Sequence, residues 1–345
     1  MDDIVNNIEI RVIGLKRSGN HVIINWLIPH YKGKVCFLNN VEPIINPFLT
    51  FHNIVDLNKN LYKDFDIDKE KNGKFSKKDC LIYSYEDGSF KKVLHKKFEK
   101  NYDKFVGRSK KRYNILILRD PFNLFASRIF RYHNLYGGNV LKEIRAKKLW
   151  KSYAREYLGE TSYLGKDKIL INYNVWFLNK DYRNNIERKL ELEPSNEKVN
   201  EVLTFGEGSS FDGVKFDGKA NEMKVLERWK LLADDEFYKF ILKDKELVEL
   251  SNRIFGRIPG TEKITKNKRF QATKLFYTEI KGIMLYLKTN KKIRRRVRKI
   301  KMKVRKIKKK AEKIINYIDS VIGLFGLFLK KNFPRLYYYL KKVKK

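Results

Sequence analysis

Cysteine is almost absent. The two that occur, Cys36 and Cys80, stand far apart and in no C-x-x-C pair. A disulfide framework and a zinc knuckle are both disfavoured, and a reducing compartment is the expected setting. The five histidines (His21, His30, His52, His95, His133) show no H-x-x-x-H or H-E-x-x-H spacing, so no metal site is expected. Long apolar runs are missing too: the longest, Val321 to Leu329, is too short to span a bilayer and carries two glycines. The opening Met-Asp-Asp-Ile-Val-Asn-Asn lacks the cationic and apolar regions of a signal peptide. A cytoplasmic protein, soluble or peripheral on a membrane, is therefore expected. Acidic residues are scarce beside basic ones, 40 against 77, for a net charge of +37.

That charge is unevenly spread. Residues 261–345 hold 29 Lys/Arg against 4 Asp/Glu, a net of +25, which leaves 37 − 25 = +12 for residues 1–260. Two regions are expected, 1–260 and 261–345, with a boundary near Pro259-Gly260. At 345 residues, 42% of them hydrophobic, the chain can bury a sizeable core.

Within residues 1–260, short apolar runs alternate with segments of helical patterning. The runs are Ile8–Leu15, Val35–Leu38, Cys80–Tyr85, Tyr113–Leu118 and Ile169–Asn172. Such short runs, rich in β-branched residues and without alternation, predict strands buried on both faces. Strands alternating with helices predict an α/β fold, a parallel sheet flanked by helices, with its ligand site at the carboxyl ends of the strands.

After the first run comes Gly14-Leu-Lys-Arg-Ser-Gly-Asn-His21, a Gly-x-x-x-x-Gly frame between strand and helix. Glycines let the backbone bring N–H groups against an anion, and the helix adds the positive end of its dipole. A nucleoside-triphosphate loop would continue Gly-Lys-Ser/Thr, with the hydroxyl on magnesium. Here Asn20 and His21 follow Gly19, and the cations come earlier, as Lys16 and Arg17. The loop suits an anion that is not a metal-bound triphosphate; a plain glycine turn capping a helix is the alternative. After the fourth run, Arg119-Asp-Pro-Phe-Asn-Leu-Phe-Ala-Ser127 begins as strand and becomes helix. Asp120 suits the N-cap and Pro121 the first helical position. Guanidinium and hydroxyl together suit a phosphate monoester, although Ser127 is expected to meet Arg119 only if the helix doubles back along a ligand.

Arg17-Ser18-Gly19-Asn20-His21 resembles the 5′-phosphosulfate loop of sulfotransferases that use 3′-phosphoadenosine 5′-phosphosulfate (PAPS). Arg119-Asp120-Pro121 with Ser127 resembles the 3′-phosphate motif of the same family. The resemblance covers roughly residues 8–256 and implies a P-loop-like sulfotransferase fold and PAPS as co-substrate, without metal. It implies that Lys16 and Arg17 neutralise the leaving phosphate and that Asn20 and His21 take the family's threonine-type positions. Arg119 and Ser127 would grip the 3′-phosphate, and Tyr173 would lie near the adenine, with Asn174 where the family has Glu. The Phe205–Gly213 loop would close over the nucleotide, with Lys219 adding charge; a plain surface loop is the alternative. The base is expected at the end of the Cys80–Tyr85 strand: Glu86, with Asp87 as the fallback and His52 and His30 as lesser alternatives. A β-turn closing a strand is the other reading of Glu86-Asp87-Gly88.

From Ile293 to Phe328 apolar residues recur at alternating spacings of four and three, so one helix face is apolar while its first half is otherwise nearly all Lys and Arg. Residues 291–345 are expected to form a basic helical extension that meets an anionic membrane surface. An acidic glycan and self-association are the other partners considered. Nucleic acid is disfavoured, since no nucleic-acid-binding signature occurs. Two rival functions remain: a P-loop nucleotide or small-molecule kinase, and a non-enzymatic polyanion-binding protein. The acceptor is unidentified, with carbohydrate among the classes considered.

Overall fold

The fold was analysed in a computed structural model, in which residues 3–55, 65–136, 140–194 and 215–265 are described. It is α/β, a six-stranded sheet with helices on both faces, and five of its strands run parallel. The strands are β1 (Ile4–Gly14), β2 (Val35–Asn39), β3 (Asn53–Val55), β4 (Lys78–Glu86), β5 (Arg108–Leu118) and β6 (Lys168–Asn172). Their order across the sheet is β3-β2-β4-β1-β5-β6, with β3 antiparallel to β2. All five predicted runs are parallel strands. The sixth, β3, has three residues, too few for a sequence pattern to mark it. Strand β5 starts five residues earlier than the apolar run, because Arg108–Arg112 extend past the core and alternate between exposed and half-buried.

The register decides what reaches the site. Gly14 at the end of β1 lies opposite Glu86 on β4 and Ile117 on β5, and Leu118 lies opposite Asn172 on β6. The same register keeps the cysteines apart. Val35 is paired with Cys80 and Cys36 with Leu81, so the two buried thiols face opposite sides of the sheet and remain free.

Alternation along β1 makes two unlike faces. Ile10 and Val12 join Ile82, Ile115 and Ile117 under the helix Asn20–Leu27, which presents Ile23, Ile24, Trp26 and Leu27. On the other face Glu9 and Arg11 are buried in a polar network. Glu9 accepts from Tyr83 Oη at 2.8 Å and Arg112 Nε at 2.9 Å, and also from Tyr102 and Ser109. Arg11 donates to Glu99 at 2.9 Å, and its guanidinium lies 4.9 Å from the centre of the Tyr102 ring. Burial pushes the Tyr102 phenol well above its ordinary pKa, so it stays a donor to Glu9.

Among the described residues no helix is long and apolar enough to cross a membrane. The Phe205–Gly213 loop and the basic extension from residue 291 onward lie outside the described residues. Glu9→Ala should lower the unfolding free energy by about 3–5 kcal/mol, since it strands buried partners. Glu99→Ala should cost less, about 1–3 kcal/mol, because Glu99 is itself 42% exposed and the buried Arg11 it leaves keeps the Tyr83 hydroxyl. Urea unfolding of the two variants checks the contrast.

Candidate functional site: two basic corners at the carboxyl edge of the sheet

The turn from β1 into the helix Asn20–Leu27 is built on two left-handed residues, Arg17 with φ 74° and Gly19 with φ 91°. Glycine suits that conformation, and an arginine there is strained. The Ser18 N–H closes the turn on Leu15 O at 3.0 Å. The helix opens at Gly19 with neither a side-chain cap nor an acidic residue in its first turn. Its first N–H groups thus face the site with the positive end of the helix dipole uncompensated. Ser18 Oγ is buried and has no hydrogen-bond partner among the described residues.

Asn20 turns inward. Its amide donates to Leu15 O and to Glu86 Oε1, each at 3.1 Å. Glu86 is thereby tied to the loop, with Lys16 Nζ 4.0 Å and His21 Nε2 3.9 Å from its carboxylate. The His21 ring nitrogen also lies 2.9 Å from Asn39 Oδ1, which accepts from Ser84 Oγ at 3.3 Å. Asp87 points elsewhere: it accepts from Lys16 N–H at 3.0 Å and from both terminal nitrogens of Arg128, at 2.9 and 3.2 Å.

The second corner follows β5. Asp120 caps the helix Pro121–Tyr136, accepting from Asn123 N–H at 2.8 Å, and also takes a bond from Asn174 Nδ2 at 2.9 Å. Having done so, it leaves Arg119 beside it unneutralised. Arg119 is 2% exposed and donates to Arg17 O at 3.0 Å, Val225 O at 2.5 Å and Ser127 Oγ at 3.4 Å. Among the described residues no carboxylate pairs with it, and its Nε has no partner. Arg119 and Ser127 meet across little more than two helical turns without any reversal of the helix.

A second guanidinium arrives on the same hydroxyl. Arg228, 8% exposed, donates to Ser127 Oγ at 3.2 Å. It belongs to a segment laid over this corner, in which Leu226 O and Trp229 N–H bond the Asn123 side chain at 3.0 and 3.2 Å. Sequence reasoning missed Arg228, since nothing in the linear pattern separates it from the other 76 basic residues. Lys219, in contrast, is exposed.

Tyr173 joins the two corners. Its ring lies against Gly19, where an added Cβ would meet Tyr173 Cε2 at 2.2 Å, and the Arg119 guanidinium stands 5.1 Å from the ring centre. The structure therefore gathers Lys16 to His21, Glu86, Arg119, Ser127 and Tyr173. His30 lies away from this group, buried against Glu187 at 3.1 Å, and His52 lies on the loop after β2. Among the described residues no group of three or more His, Cys, Asp or Glu side chains is gathered as a metal site would need.

A scan against protein-family models finds no match, and a search of curated proteins finds none either. A solved structure of a mouse sulfotransferase complexed with PAP aligns with 75% of this chain and 89% of its own, at 12% identity and a TM-score of 0.36. A likeness this loose assigns neither activity nor ligand to the chain. Gly19→Ala should destabilise the protein by about 1–3 kcal/mol, because it combines a left-handed φ with the Tyr173 clash. Urea unfolding checks it, and Gly159→Ala, at a left-handed glycine with open space around it, is the reference for φ strain alone.

Proposed function

We propose that the chain is a sulfotransferase that moves a sulfuryl group from PAPS to a hydroxyl or amine of an acceptor. The observation that carries this reading is the second corner: two buried guanidiniums converge on one serine, and among the described residues no carboxylate pairs with Arg119. A buried cation held without a counter-charge costs several kcal/mol, a cost that a dianionic ligand removes. The first corner is a distinct anion site, and Tyr173 offers an aromatic surface between them. A nucleotide with phosphates on both its 3′ and 5′ positions fits two such corners. A nucleoside triphosphate, with its charge in one chain, fits them less well, and the loop lacks the hydroxyl a magnesium ion would need after Gly19.

The residues divide the work. Arg119, Ser127 and Arg228 hold the 3′-phosphate, and the loop from Lys16 to His21 holds the 5′ end. PAPS supplies the sulfuryl group, whose sulfur is attacked by the acceptor while its bond to the 5′-phosphate oxygen breaks. Lys16 and Arg17 neutralise the charge that builds on that oxygen. Glu86 takes the acceptor's proton; its bond from Asn20 and its separation from Lys16 keep it at the loop without consuming both oxygens. Asp87 is less suited to that task, because both its oxygens are engaged by Arg128.

Calorimetric titration with 3′,5′-adenosine bisphosphate, set against ATP with magnesium, tests the donor site. Binding of the bisphosphate in the micromolar range is expected (about −8 kcal/mol). Arg119→Ala should weaken it about 10- to 100-fold, the worth of a charged hydrogen bond. Preference for magnesium-ATP would return a kinase to first place. Glu86→Gln should lower sulfuryl-transfer turnover by about 10²- to 10⁴-fold while the bisphosphate still binds. Unchanged turnover would remove Glu86 from the role of base.

A further inference from the structure

Arg128 is the residue next to Ser127, but it serves the opposite corner. Its side chain is fully buried, and every nitrogen of its guanidinium is used. Nε donates to Glu143 Oε2 at 2.6 Å, and Nη2 reaches Glu143 Oε1 at 3.3 Å. Nη1 and Nη2 form a fork on Asp87 at 2.9 and 3.2 Å, and Nη1 also donates to Lys16 O at 3.1 Å. Asp87 in turn accepts the Lys16 N–H at 3.0 Å, so both polar groups of the Lys16 backbone are fixed by this one pair. Burial works against the Arg128 charge, but Glu143 and Asp87 outweigh it and raise its pKa above the ordinary guanidinium value.

The pair includes one strained residue and fixes the neighbour of another. Arg17 follows Lys16, and Asp87 follows Glu86; both are non-glycine residues in the left-handed region, with φ 74° and 58°. Such conformations persist only where surrounding contacts over-determine them. The Asp87 N–H bonds Gly14 O at 3.1 Å, which closes the circuit from loop to turn. A lysine at position 128 would keep the charge but offer one nitrogen where five donor bonds are now made from three.

We propose that Arg128 is a positioning residue that locks the phosphate loop and the Glu86 turn into one rigid unit, setting the 5′ corner without touching the ligand. This inference rests on the sulfotransferase reading. It predicts a selective effect: the loop end of the ligand loses its fit while the Arg119 corner keeps its own. Glu143, on the helix Val140–Tyr157, anchors the guanidinium from behind and so aims the fork at Asp87.

The test is calorimetry with two ligands, 3′,5′-adenosine bisphosphate, which spans both corners, and adenosine 3′-monophosphate, which uses only one. Arg128→Lys should weaken the bisphosphate by about tenfold or more, as loss of positioning does, and leave the 3′-monophosphate unchanged. Asp87→Asn, which spoils the fork from the other side, should give the same selective loss and serves as the second variant should Arg128→Lys fail to fold. Equal weakening of both ligands, or no weakening in folded variants, overturns the positioning role while the donor-site reading stands. Failure of the unaltered protein to bind the bisphosphate overturns both, and needs no variant to be seen.

Discussion

The parallel register of β4, β1 and β5 is the constraint on which the remaining geometry depends. Because these strands are neighbours and end almost level, Gly14, Glu86 and Ile117 form one row across the sheet. Segments separated by about a hundred residues of chain are delivered to one edge by backbone hydrogen bonding alone. The side chains then need only short reaches: Asn20 to Glu86, Arg119 to the Arg17 carbonyl, Arg128 to Asp87. A slip of the pairing by one residue would turn every side chain in the row to the wrong face. The buried Glu9 and Arg11 on β1 resist such a slip, since their partners stand on both neighbouring elements of one face.

Both strand ends follow the same rule. A residue facing the site is followed by an aspartate facing the scaffold: Glu86 by Asp87, Arg119 by Asp120. Asp87 holds Arg128, and Asp120 caps its helix and takes the Asn174 amide. Each carboxylate is thus spent within the fold. The consequence for electrostatics is an edge where Lys16, Arg17, Arg119 and Arg228 are gathered and acid is represented by Glu86 alone of the strand-end pair.

Much of this was legible in the sequence. The strands announce themselves through continuous β-branched runs, and the two strand-to-helix turns through glycine and Asp-Pro, where local backbone rules act. What escaped is non-local. Arg228 reaches Ser127 through a fold-over of the chain that no spacing encodes. Asn20 reads only as standing at a threonine-type position, and its bonds to Leu15 and Glu86, in the space beneath Gly14, are not encoded in the spacing. Arg119 and Ser127 meet along the helix start without the reversal that the linear reading requires. Lys219 is exposed, unlike the buried Arg119 and Arg228. Composition identifies charge; only tertiary packing decides which charges are buried.

Tyr173 also acts as a gauge block. One edge of its ring abuts the Gly19 backbone and one face meets the Arg119 guanidinium. The span between the corners is therefore set by the width of a flat, incompressible ring rather than by flexible lysine or arginine arms. Small side-chain adjustments leave that span unchanged, since the ring would have to leave its seat on the glycine. The separation of the two corners is thus built into the wall between them, ahead of any side-chain adjustment.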